Sequence, residues 1–162
     1  MPDCKWYMGI DPGMSGGIAV VSPIARCPLP EAWKMPETER DICELLAEYA
    51  SLIQLALIER VHAMPKQGVS STFKFGTNYG LLRGFLIALN IPFDEVTPQR
   101  WQKHMGCLTR GDKNVSKAKA QQLFPGLKIT HATADALLIA EYGRRLAAKG
   151  GYVAGGFFIA VV

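Results

Sequence analysis

The stretch GIDPGMSGGIAVV, Gly9 to Val21, constrains this chain more than any other. An apolar run ends in a single carboxylate, Asp11; a glycine-rich turn follows, and a second apolar run begins. Two short apolar runs about such a turn predict a β-hairpin, over Lys5–Ile10 and Ile18–Val21. An aspartate placed there serves one of two designs. It holds a metal ion, or its turn cradles the phosphates of a nucleotide.

The rest of the pattern predicts one mixed α/β domain. A third strand is expected over Glu31–Met35. Thr38 opens a helix, with Asp41 three residues on as in a capping box, and that helix runs to about Ser51. Leu55–Glu59 (LALIE) reads as a buried strand that again ends in a carboxylate. A polar loop, RVHAMPKQGVSS, leads to a long helix from about Thr72 to Asn90, and PFDEV supplies a fifth strand. Thr97-Pro98 is an N-cap followed by proline at the first helical position, opening a short helix through His104. The loop GCLTRGDKN precedes a helix over Asn114–Leu123, stopped by Phe124-Pro125-Gly126, and a last helix spans about Ala132 to Lys149. Three strands therefore precede the first helix. Residues 1–150 form the expected domain, and the apolar tail 151–162 stands outside it.

Composition narrows the class. At 162 residues and 49% hydrophobic, the chain suits a single folded core. No apolar run approaches the roughly 20 residues that span a bilayer, and the N-terminus lacks a signal peptide's order, so a cytoplasmic protein is expected. Cys4, Cys27, Cys43 and Cys107 form neither a CxxC pair nor a zinc spacing and read as reduced thiols. Charge is uneven: residues 1–59 carry 4 basic and 9 acidic side chains, net −5, whereas residues 60–128 carry 11 and 3, net +8. A basic middle segment is what a polyanion-binding face requires, although a solvated surface without a partner has the same composition.

The carboxylates decide between the two designs. If the strands ending in Asp11 and Glu59 are parallel neighbours, both side chains project from one sheet edge, where open α/β sheets place their ligands. In THATADALLIAEYG, His131 and Asp135 lie four apart on one helical face, and the apolar residues after them can press that turn onto the sheet. Three carboxylates and an imidazole converging there suit a divalent cation. Phosphodiester hydrolysis commonly uses two such ions roughly 3.5–4 Å apart. Taken singly, Asp11 also reads as a turn-former, Asp135 as a helix-dipole partner and His131 as a cap.

The motifs GIDPGMSGGIAVV, LALIER, PKQGVSSTFKFGTNYGLLRG, VTPQRWQKHMG, KAKAQQLFPG and ADALLIAEYGRR occur in that order over about residues 7 to 145. In this the chain resembles the RuvC-like Holliday-junction resolvases, in particular their phage and chloroplast branch. The resemblance implies an RNase H-like fold: a five-stranded mixed sheet with strands 1–3 antiparallel and strands 1 and 4 adjacent. It implies a homodimer that resolves four-way DNA junctions through paired nicks, using two Mg²⁺ per active site, with Mn²⁺ as a substitute. By position, Asp11 and Glu59 match the family's strand carboxylates, and Asp135 its last-helix acid. Related enzymes carry an aspartate three or four residues before that acid. Here those positions are Ala132 and His131, and because some members use histidine, the role of fourth ligand falls to His131.

On the same resemblance, Lys66, Lys74, Arg83, Lys103, Arg110, Lys113 and Lys117 are candidate phosphate contacts, with Arg100 and Lys119 beside them. Lys103 and Lys113 rank first. Such contacts position DNA and make binding salt-sensitive without specifying sequence. His62, Met64 and Phe73 are candidates for stacking on unpaired bases at the junction. Gly76, Gly80 and Gly84 form a stripe on the long helix, and each costs about 1 kcal/mol relative to alanine. A dimer interface or DNA-facing groove accounts for them, as does close packing of the helix on its own sheet.

A phosphate-binding hairpin of the actin/hexokinase type needs two lobes and usually a much longer chain, and no GxxxxGK[ST] pattern is present. Asp11 is accordingly read as a metal ligand, no nucleotide cofactor is expected, and the glycines beside it read as clearance for a phosphodiester backbone. Two other functions stay open: an RNA-processing nuclease of the YqgF type, and a non-catalytic junction-binding module.

Overall fold

The computed structural model describes residues 5–22, 29–60, 68–108 and 110–149. Five strands, β1 (Trp6–Asp11), β2 (Gly17–Val21), β3 (Glu31–Lys34), β4 (Ile53–Glu59) and β5 (Phe93–Val96), form one sheet in the order β3-β2-β1-β4-β5. β1–β2 and β2–β3 pair antiparallel, and β1–β4 and β4–β5 pair parallel. This is the mixed RNase H-like sheet, flanked by α1 (Glu39–Tyr49), α2 (Val69–Ala88), α3 (Pro98–Met105), α4 (Lys113–Leu123) and α5 (His131–Ala148).

Period-two alternation divides the core. Trp6, Met8 and Ile10 of β1 and Ala56 and Ile58 of β4 pack with Ile42, Leu46 and Tyr49 of α1 and Leu82 and Leu86 of α2. The alternate residues, Tyr7, Leu55 and Leu57, pack on the opposite face against Ala136, Leu137 and Ala140 of α5 and Trp101 of α3. Asp11 and Glu59 continue this second series, two residues beyond Gly9 and Leu57, so both carboxylates lie on the α5 side of the sheet.

Helix α5 lies unusually close to that face. A Cβ on Gly9 would stand 2.1 Å from the Ala136 carbonyl oxygen, and one on Gly17 would stand 2.5 Å from that of Ala132. Backbone meets backbone, and only glycine leaves room. The approach sets the first turn of α5 over the ends of β1 and β2.

Local signals start the helices. Thr38 Oγ1 accepts from the Asp41 amide at 3.1 Å, and α1 begins at the next residue. Pro98 occupies the first position of α3, and Gly106, with φ +67, ends it. Thr130 caps α5, its amide donating to Thr133 Oγ1 at 3.1 Å.

Helix α2 departs from the sequence expectation. It begins at Val69 rather than near Thr72, because Gly68 caps it without a side-chain hydrogen bond and leaves no start signal. Val69 and Phe73 are exposed, so its first turns carry no inward apolar periodicity to mark them. The stripe of Gly76, Gly80 and Gly84 on α2 is open: an added Cβ at each would meet no described atom within 4 Å. Close packing of α2 on its own sheet therefore does not explain these glycines.

The two classes of glycine separate in stability. Gly9→Ala should lower the free energy of unfolding by about 3 kcal/mol, the upper end of overpacking costs. Gly80→Ala, measured in urea at monomer concentration, should raise it by about 1 kcal/mol. A neutral Gly9→Ala would mean that α5 does not press on β1.

Candidate active site

Asp11 sits at the last position of β1 and its environment is built by the turn that follows. The Gly13 amide donates to Asp11 Oδ1 at 3.1 Å, and a Cβ on Gly16 would strike the Asp11 carboxyl carbon at 2.6 Å. The turn glycines grip the carboxylate as well as leaving it accessible. Asn78 of α2 anchors the same turn from the far side, donating to the Pro12 carbonyl at 2.7 Å.

Glu59 ends β4, opposite Val96 of β5. Trp101, fully buried in α3, donates its indole Nε1–H to Glu59 Oε2 at 2.6 Å. Asp135 lies in the second turn of α5, held to the edge by the close contact of that helix with β1 and β2. Ser116 of α4 stands beside it and favours its charged form, yet neither Ser116 Oγ nor Asp135 Oδ1, both buried, makes a well-formed hydrogen bond. A buried carboxylate oxygen without a partner is costly and needs a reason.

The three carboxylates feel one another. Burial raises the pKa of Asp11, and Asp135 raises it further, against the Gly13 amide and Lys113. Glu59 is pushed up to about 7, by burial and then by Asp11, against the Trp101 hydrogen bond, with Asp135 adding to the rise. Asp135 is also raised, chiefly by burial, while Ser116, Lys113 and His131 pull it down. Burial, joined at Asp11 and Glu59 by their carboxylate neighbours, thus presses these groups toward their neutral forms.

The sequence-predicted residues fall into groups. Asp11, Glu59 and Asp135 lie within electrostatic reach of one another. His131 is the first residue of α5, exposed, with its charge within reach of Asp135. Lys113, the first residue of α4, is exposed and within electrostatic reach of both Asp11 and Asp135. Lys74, Arg100, Lys103 and Arg110 are exposed, and Lys117 and Lys119 half-buried. Arg83 pairs with Glu95 at 3.0 Å and lies over the Tyr79 ring, so its charge is partly engaged within the fold. Phe73 is 75% exposed. His62, Met64 and Lys66, like the tail 151–162, lie outside the described residues.

Two contributors escape sequence reasoning. Trp101 stands in the motif VTPQRWQKHMG, where an aromatic with one polar atom, three residues after a helix-opening proline, is the available signal. Ser116 carries none.

The donor chemistry fits a hard divalent cation: three carboxylates on one edge, each displaced toward neutrality, one with an unpartnered oxygen. Among the described residues, no three histidine, cysteine, aspartate or glutamate side chains are already closed into a metal-holding set. His131 in particular stands outward.

The mixed sheet in the order β3-β2-β1-β4-β5, with α5 packed across β1 and β2, is a RuvC-type fold. Its solved neighbours bear this out for the fold. The Thermus thermophilus RuvC structure aligns with TM-score 0.65 at 19% identity, covering 90% of this chain and 97% of that one. T. thermophilus RuvC in complex with Holliday junction substrate aligns with TM-score 0.65 at 20% identity, covering 91% and 97%. No family profile and no curated protein matches the sequence.

The raised Glu59 pKa carries a pH dependence. A folded pKa of about 7 against an ordinary 4.5 contributes stability that is present below pH 4.5 and lost as pH rises through 7. In chelator, Glu59→Gln, which keeps an acceptor for Trp101, should melt higher than the parent at pH 8 and no higher at pH 4.5. Equal melting differences at both pH values would contradict a raised Glu59.

Proposed function

We propose that this protein is a RuvC-like, structure-specific endonuclease that resolves four-way DNA junctions as a homodimer by metal-dependent phosphodiester hydrolysis. The observation that carries the reading is the convergence of Asp11, Glu59 and Asp135 on one edge of a RuvC-type sheet. Support for the substrate comes from the solved neighbour in complex with Holliday junction substrate, and from the net +8 of residues 60–128.

Asp11, Glu59 and Asp135 would hold Mg²⁺, or Mn²⁺ in its place, with His131 as the fourth candidate. When bound, a pair of such ions neutralises charge on the attacking and leaving oxygens of an in-line displacement. The chain's own groups do the rest. The Gly13 amide and the Gly16 backbone fix the Asp11 rotamer. Lys113 brings a cation to the carboxylates from the solvent side, where a phosphate would approach. Lys74, Lys103 and Arg110 are exposed to hold the flanking backbone, and Phe73 offers a flat apolar face to a base at the junction's centre.

Paired nicks on opposed strands require two sites related by a two-fold axis. The open stripe of α2 supplies a self-complementary surface for it. Exposed Val69 and Ile87 lie along the line of Gly76, Gly80 and Gly84, so two copies of the helix can approach closely while covering apolar area and leaving Phe73 to the DNA.

Cleavage of a labelled four-way junction in Mg²⁺ and in Mn²⁺, beside linear duplex and single-stranded RNA, tests the reading. Paired nicks confined to the junction are expected, reduced more than roughly 100-fold in Asp11→Asn, beyond the 10–100-fold typical of outer-shell changes. Tight junction binding without cleavage in either metal would make the protein a binding module, and cleavage of RNA alone would place it among RNA-processing nucleases. For the interface, Gly80→Glu should sediment as a monomer where the parent is a dimer, and should lose the pairing of nicks while keeping the fold. A parent that sediments as a monomer with junction bound would sink the two-site scheme.

A further inference from the structure

Glu59 ends β4 opposite Val96, and the charges of Asp11 and Asp135 both bear on its carboxylate. Among the described residues, the side chain that donates to it is Trp101, whose indole nitrogen lies 2.6 Å from Oε2 and is wholly buried. An indole has one N–H and no acceptor, so its only polar act is to donate. A donation of that length to a carboxylate is of the strong, charge-assisted kind.

The backbone holds both partners in one short frame. Glu59 pairs with Val96 across the β4–β5 ladder, and the next amide, Arg60, donates to the Val96 carbonyl at 2.7 Å. From Val96 the chain turns at Thr97, enters α3 at Pro98, whose ring fixes φ, and reaches Trp101 in the first turn. The Trp101 amide closes that turn on the Thr97 carbonyl at 3.3 Å. Only the first turn of α3 separates the backbone opposite the carboxylate from the donor that grips it.

Resting on the reading above, we propose that Trp101 is a positioning residue of the active site: its indole N–H holds Glu59 Oε2 inward, leaving Oε1 as the oxygen presented to a divalent cation. Trp101 touches neither substrate nor ion, and it acts through Glu59. The same helix carries exposed Lys103, so the element that steadies the carboxylate also bears a candidate phosphate contact. A tryptophan that only filled the core would need its aromatic volume but not its N–H.

The test separates volume from donor. Trp101→Phe keeps an aromatic ring and deletes the donor. A benzothienylalanine at position 101 keeps the two-ring shape and replaces only the N–H by sulfur, and it serves where the phenylalanine variant fails to fold. Mn²⁺ affinity is measured by electron paramagnetic resonance at pH 8 without DNA, and junction cleavage is measured beside it. The expected result is a 10–100-fold weaker Mn²⁺ affinity, roughly the usual cost of losing an outer-shell partner, and a lower kcat with the junction KM unchanged. Unchanged Mn²⁺ affinity in the sulfur variant would overturn the proposal.

Hydrogen exchange of the Trp101 indole, followed by NMR in chelator, keeps this test apart from the proposed nuclease activity. A protected N–H that becomes exchangeable in Glu59→Leu supports the holding bond even if the parent cuts nothing. An N–H equally protected in both chains would show that burial alone shields it, and would overturn the bond.

Discussion

The contact of α5 with the β1–β2 hairpin is the constraint from which the site follows. A helix normally stands off a sheet by the depth of its side chains. Here the carbonyls of Ala132 and Ala136 come within a Cβ's reach of Gly17 and Gly9, so backbone rests on backbone. The helix cannot slide along the strands without meeting Cβ atoms on either side. Its register is thereby fixed, and with it the position of Asp135 over the edge where β1 and β4 end. Parallel pairing of β1 with β4 places Asp11 and Glu59 side by side on that edge. One packing constraint and one strand pairing thus assemble three carboxylates that are far apart in sequence.

That assembly is electrostatically unfavourable in isolation, and each local feature around it moderates the cost. The Gly13 amide favours charge on Asp11, the Trp101 indole on Glu59, and Lys113 on both Asp11 and Asp135. These interactions oppose burial but do not overcome it, since all three pKa values remain raised. A structural ion pair would have been balanced within the fold, as Glu141 is: Arg144 and Arg145 grip it at 2.7 and 2.8 Å, and its pKa falls below the ordinary value. The contrast within one chain is informative. Glu141 is balanced by arginines of its own helix, whereas on the α5 edge Lys113 is the cation that bears on Asp11 and Asp135 and both remain raised.

Local chemistry makes most of these elements legible in the amino-acid sequence. Strand alternation, the Thr38 and Thr97-Pro98 starts and the apolar run of LALIE give their positions within a few residues. The motif order points to the RNase H-like sheet; its strand pairing then puts Asp11 and Glu59 on one edge, and the packing of α5 brings Asp135 to it. The N-terminus of α2 is displaced from its expected place because Gly68 offers no capping side chain and Val69 and Phe73 face outward. The indole donor for Glu59 stays hidden, since a hydrogen bond between residues 42 apart depends on how α3 packs and leaves no periodicity in the chain. The same holds for the grip of the turn on Asp11: its glycines read as clearance in the sequence, and half of their role is contact.

Helix α2 presents the remaining imbalance. Its inner side buries Leu82 and Leu86, and its flank pairs Arg83 with Glu95, as a surface helix should. Along the outer line, however, lie Val69, Phe73 and Ile87, all more than half exposed, with three glycines between them that touch nothing described. Each of those glycines weakens the helix by about 1 kcal/mol, and each exposed apolar side chain forgoes burial worth about 25 cal/mol per Å². Nothing described within one protomer offsets either cost. In the proposed homodimer a second helix laid along the stripe would recover both, because glycine lets the backbones close to short range and Val69 and Ile87 at its ends would then cover one another. In the homodimer proposed above, a two-fold axis through that stripe would relate two carboxylate edges, which is the arrangement that opposed strands of a four-way junction demand.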